Sequence, residues 1–188
     1  MTYGTAKNLT KNTYQKTGYE FIGWSTDKNA KTPEYQDEQS VNNLSTVDGG
    51  TVTLYAVWGT NNYTLTVDPN GGKWNNTTDT TEVKGDYGTT IDIQNPEPPT
   101  GYTVSFSPDG GDNLESITAT NTFTGWTKEG EGTLDGNNRY TYGEGNGKIT
   151  ANYDYGTITL PSTEKDGYEI DEWYDEDGNP VGKPGEEY

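Results

Sequence analysis

The sequence predicts a mainly β protein made of small tandem modules, with at most short helices. Short phrases recur along the chain in a fixed order. The phrases alternate apolar with hydroxylated residues at a period of two. Helical periodicity is weak everywhere. The best helix candidate is residues 37–44, where Val41 and Leu44 are three apart, and even this spans little more than two turns.

The opening phrase is Tyr63-Thr64-Leu65-Thr66-Val67-Asp68-Pro69-Asn70-Gly71-Gly72. Tyr63, Leu65 and Val67 form an apolar face, Thr64 and Thr66 a hydroxylated one. Asn70-Gly71-Gly72 supplies the positive φ that a hairpin turn needs. A near copy, Tyr102-Thr103-Val104-Ser105-Phe106-Ser107-Pro108, leads into Asp109-Gly110-Gly111. The second phrase occurs as Tyr3-Gly4-Thr5, Tyr87-Gly88-Thr89 and Tyr155-Gly156-Thr157.

The third phrase is Gly18-Tyr19-Glu20-Phe21-Ile22-Gly23-Trp24, which returns as Gly167-Tyr168-Glu169-Ile170-Asp171-Glu172-Trp173. A split version places Gly101-Tyr102 far ahead of Phe123-Thr124-Gly125-Trp126. Tyr19 and Trp24 are an odd number of residues apart, so an unbroken strand would send them to opposite faces. A bulge at Gly23 is expected to bring both inward. Trp24 and Trp126 are expected to be mostly buried, Trp173 less so. The closing phrase is Leu54-Tyr55-Ala56-Val57-Trp58, with Leu54, Ala56 and Trp58 on one face, and again Ile149-Thr150-Ala151-Asn152-Tyr153. Asp177-Gly178-Asn179 reads as a turn between Trp173-Tyr174 and Val181.

This order divides the chain into a first repeat at 1–59 without an opening strand, a second at 60–153 with an insertion at about 103–122, and a partial third at 154–188. Gly59-Thr60-Asn61-Asn62 reads as a short linker. A missing strand leaves unpaired backbone edges. The chain is therefore expected to be an excerpt of a longer array, or a set of units that borrow strands from neighbours. Modules strung end to end would exceed the radius of gyration of a compact domain of this length, about 16 Å.

Composition narrows the function classes. The 12 basic and 30 acidic residues give a net charge of −18, which repels phosphate backbones and anionic membrane surfaces. The chain has no Cys and no His, which removes disulfides, thiol nucleophiles, the usual zinc ligands and imidazole-based triads. No apolar run is long enough for a membrane span, and the residues after Met1 do not read as a signal peptide. Leu, Ile, Val and Phe are only 25 of 188 residues, a level that with this charge suggests disorder. Fifteen Tyr and five Trp in fixed phrases argue for thin, aromatic-rich cores instead.

The phrases resemble the Listeria–Bacteroides repeat, also called the InlB B-repeat. That pattern runs Y-T-V-T-F-D-x-N-G-G, then Y-G, then G-Y-x-F-x-G-W, then L-Y-A-x-W. Tyr63 to Gly72, Gly18 to Trp24 and Leu54 to Trp58 match its opening, middle and close. The second unit departs by its insertion and by ending in Tyr153, the third by carrying Glu172 in place of Gly. The resemblance implies β-grasp-like modules in secreted or wall-anchored bacterial proteins, acting as stalks, spacers or adhesive repeats. It carries over no catalytic residues.

Several local patterns suggest sites. Asp175-Glu176-Asp177-Gly178-Asn179 is calcium-loop-like, but an EF-hand loop needs Gly at its sixth position and Glu at its twelfth, so a solvated turn is the better reading. Leu160-Pro161-Ser162-Thr163-Glu164 is near L-P-x-T-G, with Glu in the final place and no apolar tail after it; it reads as a strand end plus a turn. Carboxylate pairs suited to glycoside hydrolysis arise by chance among 30 acids, and most are expected to be solvated. Trp74, in Lys73-Trp74-Asn75-Asn76, is the candidate for stacking on a sugar ring, against the simpler reading that it covers the end of its own sheet. The sequons Asn8-Leu9-Thr10 and Asn62-Tyr63-Thr64 are read as incidental.

The expectation is a non-catalytic, monomeric, extracellular segment with no cofactor and no metal. Its partner would be a host or bacterial surface protein or a glycan, with no nucleic acid and no membrane insertion. The alternative is a carbohydrate-binding module using exposed aromatics such as Trp74.

Overall fold

The computed structural model describes residues 4–108 and 112–188. Tyr3 and the Asp109-Gly110-Gly111 turn lie outside the described residues. Within them the protein is all-β, and no helix is present. Among the described residues no helix is long and apolar enough to cross a membrane.

Seventeen strands follow in order: β1 (Lys7–Asn8), β2 (Tyr19–Ser25), β3 (Ser40–Val41), β4 (Tyr55–Thr60), β5 (Asn62–Asp68), β6 (Thr81–Asp86), β7 (Thr90–Asp92), β8 (Thr103–Val104), β9 (Ile117–Thr118), β10 (Thr122–Gly130), β11 (Thr133–Leu134), β12 (Arg139–Thr141), β13 (Gly147–Asp154), β14 (Glu164–Lys165), β15 (Tyr168–Glu169), β16 (Trp173–Tyr174) and β17 (Pro180–Gly182). One sheet has four strands in the order β10-β13-β5-β6, and another has three in the order β11-β12-β7. The rest are two-stranded: β1-β3, β2-β4, β8-β9, β14-β15 and β16-β17.

The chain forms two compact units. The first comprises residues 1–66, 82–93 and 128–148; the second comprises 67–81, 94–127 and 149–188. In the first unit Val41, Val57, Leu65, Ile93, Tyr140 and Tyr142 are buried. Tyr140 and Tyr142, two apart on one strand face, meet edge to face at 5.2 Å. Their hydroxyls donate to Glu131 O at 2.7 Å and to Val83 O at 3.0 Å, so each buried phenol has its partner. In the second unit Val67, Trp74, Ala119, Ile149, Ala151, Ile158 and Leu160 are buried.

The apolar face expected for the opening phrase is present. Leu65 and Val67 are fully buried and Tyr63 is half-buried. Two expectations are corrected. Residues 37–44 do not form a helix: Glu38 at φ 56° and Asn43 at φ 48° are left-handed, a conformation that ends helices, and Ser40–Val41 pairs with β1 instead. In β4 the most buried residue is Val57, and Leu54, Ala56 and Trp58 on the alternate positions are half-buried. Gly59 to Asn62 is not a linker. Gly59 and Thr60 end β4 and Asn62 begins β5, with Asn61 alone between them. Its N–H donates to Gly18 O at 2.9 Å and its C=O accepts from Tyr87 N–H at 2.9 Å, which fixes the junction.

The near copy of the opening phrase contributes β8, which pairs antiparallel with β9. Its hydroxylated face is a ladder of paired side chains, Thr103 with Thr118 at 2.8 Å and Ser105 with Ser116 at 2.8 Å.

Candidate functional site

The recurring Phe-x-Gly-Trp segment is the most distinctive local structure. In the first repeat the β2–β4 register shifts between Phe21 and Gly23, opposite Trp58 and Val57. Gly23 takes φ 143°, which L side chains rarely adopt. The extra residue turns Phe21 and Trp24, three apart, to the same face. Their rings meet at 5.0 Å, and Phe21 also meets Trp58 at 5.7 Å. The expected bulge is there, but its product differs: Phe21, not Tyr19, joins Trp24. Tyr19 packs against Tyr87 at 6.2 Å, with the Lys16 ammonium 3.7 Å from its ring centroid.

The second repeat copies the device. Gly125 also has φ 143°, Phe123 meets Trp126 at 5.4 Å, and Tyr153 of the closing strand meets Phe123 at 6.1 Å. The third phrase breaks instead. Glu172 carries a side chain that disfavours this backbone conformation, and the run splits into β15 and β16. Trp173 then packs on Phe106 at 5.1 Å and donates to Pro161 O at 2.9 Å.

Trp24 and Trp126 are mostly buried, as expected, and Trp173 falls in the same intermediate range rather than standing apart from them. A narrow, bulged strand pair covers one side of an indole better than both. Their N–H groups differ. Trp24 Nε1 faces Asp37 Oδ1 at 3.4 Å, whereas Trp126 Nε1 is buried with no hydrogen-bond partner.

Trp74 is 6% exposed. Its Nε1 donates to Gln94 O at 3.0 Å, and its backbone exchanges bonds with Thr77. The exposed stacking plane expected of a sugar-binding Trp74 is therefore absent, because the ring packs into the second unit. The large aromatics that are exposed are Tyr14, Tyr55, Tyr102, Tyr155, Tyr168, Tyr174 and Tyr188. Tyr102 and Tyr188 form one edge-to-face pair at 6.1 Å, with Tyr102 OH donating to Tyr188 O. The sequence phrases do not single out Tyr14 or Tyr188.

Asp175 closes a turn on itself. Its carboxylate accepts from the N–H groups of Asp177 at 3.0 Å and Asn179 at 2.8 Å and from the Asn179 side chain at 3.0 Å. These bonds, the Asn179 side chain first, hold its pKa below the ordinary aspartate value. Glu34 is likewise held low, chiefly by the Thr26 N–H at 3.0 Å and then by the Thr26 hydroxyl. Among the described residues no group of three or more acidic side chains is gathered closely enough to hold a metal ion. Leu160, first residue of the L-P-S-T-E segment, is buried and exchanges backbone bonds with Gly185 and Glu186.

Comparison with known proteins gives one family. The family model of the Listeria–Bacteroides repeat domain matches residues 1–57 and 139–183, more than half of the chain. No curated protein and no solved structure is matched. The two matched stretches include the Gly18 to Trp24 and Gly167 to Trp173 phrases and both closing phrases up to Val57 and Tyr153, so the match rests on the same residues that build the strands described above. The chain belongs to the Listeria–Bacteroides repeat domain family, whose members are typically found in bacterial surface proteins.

Proposed function

We propose that this segment is a non-catalytic extracellular repeat of a bacterial surface or secreted protein. It serves as a stalk or spacer and offers a shallow protein-binding face. The observation that carries this reading is the reuse of one structural device at Gly23 and again at Gly125: a Phe-x-Gly-Trp segment beside a closing strand, with the glycine at φ 143° and the Phe and Trp rings in contact. Repetition of a packing unit is the way stacked arrays gain length and rigidity.

We infer further that the modules are β-grasp-like. In the second repeat the first and last strands, β5 and β13, are neighbours at the centre of the sheet. They run in the same direction: Thr64 N–H donates to Asn146 Oδ1 near their starts, while Asn70 Nδ2 donates to Ala151 O near their ends.

The test is replacement in the parent surface protein. The segment is exchanged for an unrelated β-repeat of equal length, and antibody access to the distal part is measured on intact cells. Unchanged access supports a spacer. Loss of access or adhesion that only the native segment restores would replace the spacer role with specific recognition. Shaving of intact cells with protease checks the extracellular location.

A further inference from the structure

The two repeats with closing strands differ at one edge. In the second, the closing strand β13 is flanked by β10 on one side and by β5 on the other. In the first, among the described residues, β4 is flanked by β2 alone. The phrases correspond: β2 and β10 both carry Phe-x-Gly-Trp, and Ala56 in β4 stands where Ala151 stands in β13. The side of β4 that is left open is therefore the side that β5 occupies on β13.

The hydrogen-bond phase agrees. Trp24 N–H donates to Tyr35 O at 2.8 Å, and its C=O accepts from Glu34 and Tyr35, so the Trp24 backbone faces away from β4. Ala56 is its register partner, and in an antiparallel pair both members of such a position face outward. Two residues further on, the Trp58 groups face the same way, and so do those of Thr60. Asn61, between Thr60 and β5, faces inward, as its bond to Gly18 O shows. In the second repeat Ala151 O accepts from Asn70 Nδ2, so the equivalent backbone position there faces the opening phrase. Tyr153, in the place of Trp58, donates its hydroxyl to Pro69 O at 2.7 Å.

We propose that the free edge of β4 is a strand-acceptor site whose occupant is the opening phrase of another repeat, added parallel to β4 through the outward groups of Ala56, Trp58 and Thr60. Such strand addition obtains affinity from main-chain bonds and selectivity from alternate side chains. The occupant is an extended Tyr-Thr-Leu-Thr-Val-Asp-Pro-Asn-Gly-Gly type of segment, because the protein itself places that phrase in the equivalent slot. The proposal deepens the tandem-array reading and rests on repeat equivalence alone. A failure here leaves the spacer role standing, since that role is tested on cells without any peptide.

The probe is a synthetic peptide of residues 61–72, titrated into the full chain at physiological salt and followed by amide NMR. The expected result is saturable binding, with shifts and slowed amide exchange at Ala56, Trp58 and Thr60. Absence of binding at millimolar peptide overturns the proposal. So do shifts confined to β13, which would show the peptide exchanging with β5 in its own slot. Self-association of the chain that is blocked by the peptide supports the site, with a second copy as donor. Ala56→Pro removes an outward N–H that β2 does not use, and should weaken binding more than tenfold while the β2–β4 pair persists. If that variant unfolds, the same loss is read with a Leu65→Pro peptide on the wild-type chain. Equal binding of that peptide refutes strand addition.

Discussion

Gly23 and Gly125 allow backbone strain to be separated from crowding. Both have φ 143°, so a Cβ at either position is conformationally strained. Holding a non-glycine residue in such a region costs about 1–3 kcal/mol. The surroundings differ. A Cβ on Gly23 would stand 2.5 Å from Pro33 Cβ and 2.5 Å from Tyr35 O, closer than real Cβ contacts, whereas Gly125 has open space within 4 Å. Overpacking of this kind adds about 1–3 kcal/mol. Gly125→Ala should therefore cost about 1–3 kcal/mol and Gly23→Ala about 2–6 kcal/mol. Urea titration read by the exchange of the Trp24 and Trp126 amides reports each repeat locally. Equal costs, or a larger cost at Gly125, would refute the crowding argument. A Gly125→Ala change costing under about 0.5 kcal/mol would refute the strain argument as well.

Four further outcomes are expected. Trp126→Phe removes a buried N–H that has no partner, whereas Trp173→Phe gives up the bond to Pro161 O; by chemical denaturation the second should cost about 1 kcal/mol more. Tyr140→Phe should cost about 1–2 kcal/mol in the same assay, because Glu131 O loses its donor. Burial raises the pKa of Tyr140 and Tyr142 above 10.0 in the fold, with Tyr142 and Glu131 adding to the effect at Tyr140. The unfolded chain thus releases these protons first. Their contribution is complete below pH 10 and is lost as pH rises toward the folded values, which absorbance at 295 nm during alkaline unfolding should show as late-ionising phenols. Finally, at a net charge of −18 the melting temperature should rise between low and physiological salt; an unchanged value would mean that repulsion is not a significant term.

Much of this fold was legible because its phrases encode backbone geometry directly. Tyr63 to Val67 announces a strand by alternation, and the glycine of Phe-x-Gly-Trp marks the bulge. What was not legible follows from contacts made across long stretches of chain. Tyr140 and Tyr142 sit in Arg139-Tyr140-Thr141-Tyr142, whose period of two was a signal, yet their burial depends on Val83 and Glu131 from separate elements. The aromatic partner of Trp24 was misjudged because alternation alone cannot say which residue a bulge skips. Residues 37–44 misled because two apolar residues three apart suit a helix and a turn followed by a strand equally well. Trp74 stood outside every phrase, so the sequence offered no way to see Gln94 waiting for its indole.

The single residue between β4 and β5 bears on how such a chain can be rewritten. Asn61 is held from both sides, by Gly18 and by Tyr87, and the strands before and after it begin and end without slack. An insertion or deletion there shifts the following strand by an odd or even step, and every odd step turns Leu65 and Val67 outward. Duplication and unequal crossing-over at this junction must therefore conserve the parity of the residue count. Insertions or deletions of an odd number of residues are expected to be excluded at Asn61 among relatives.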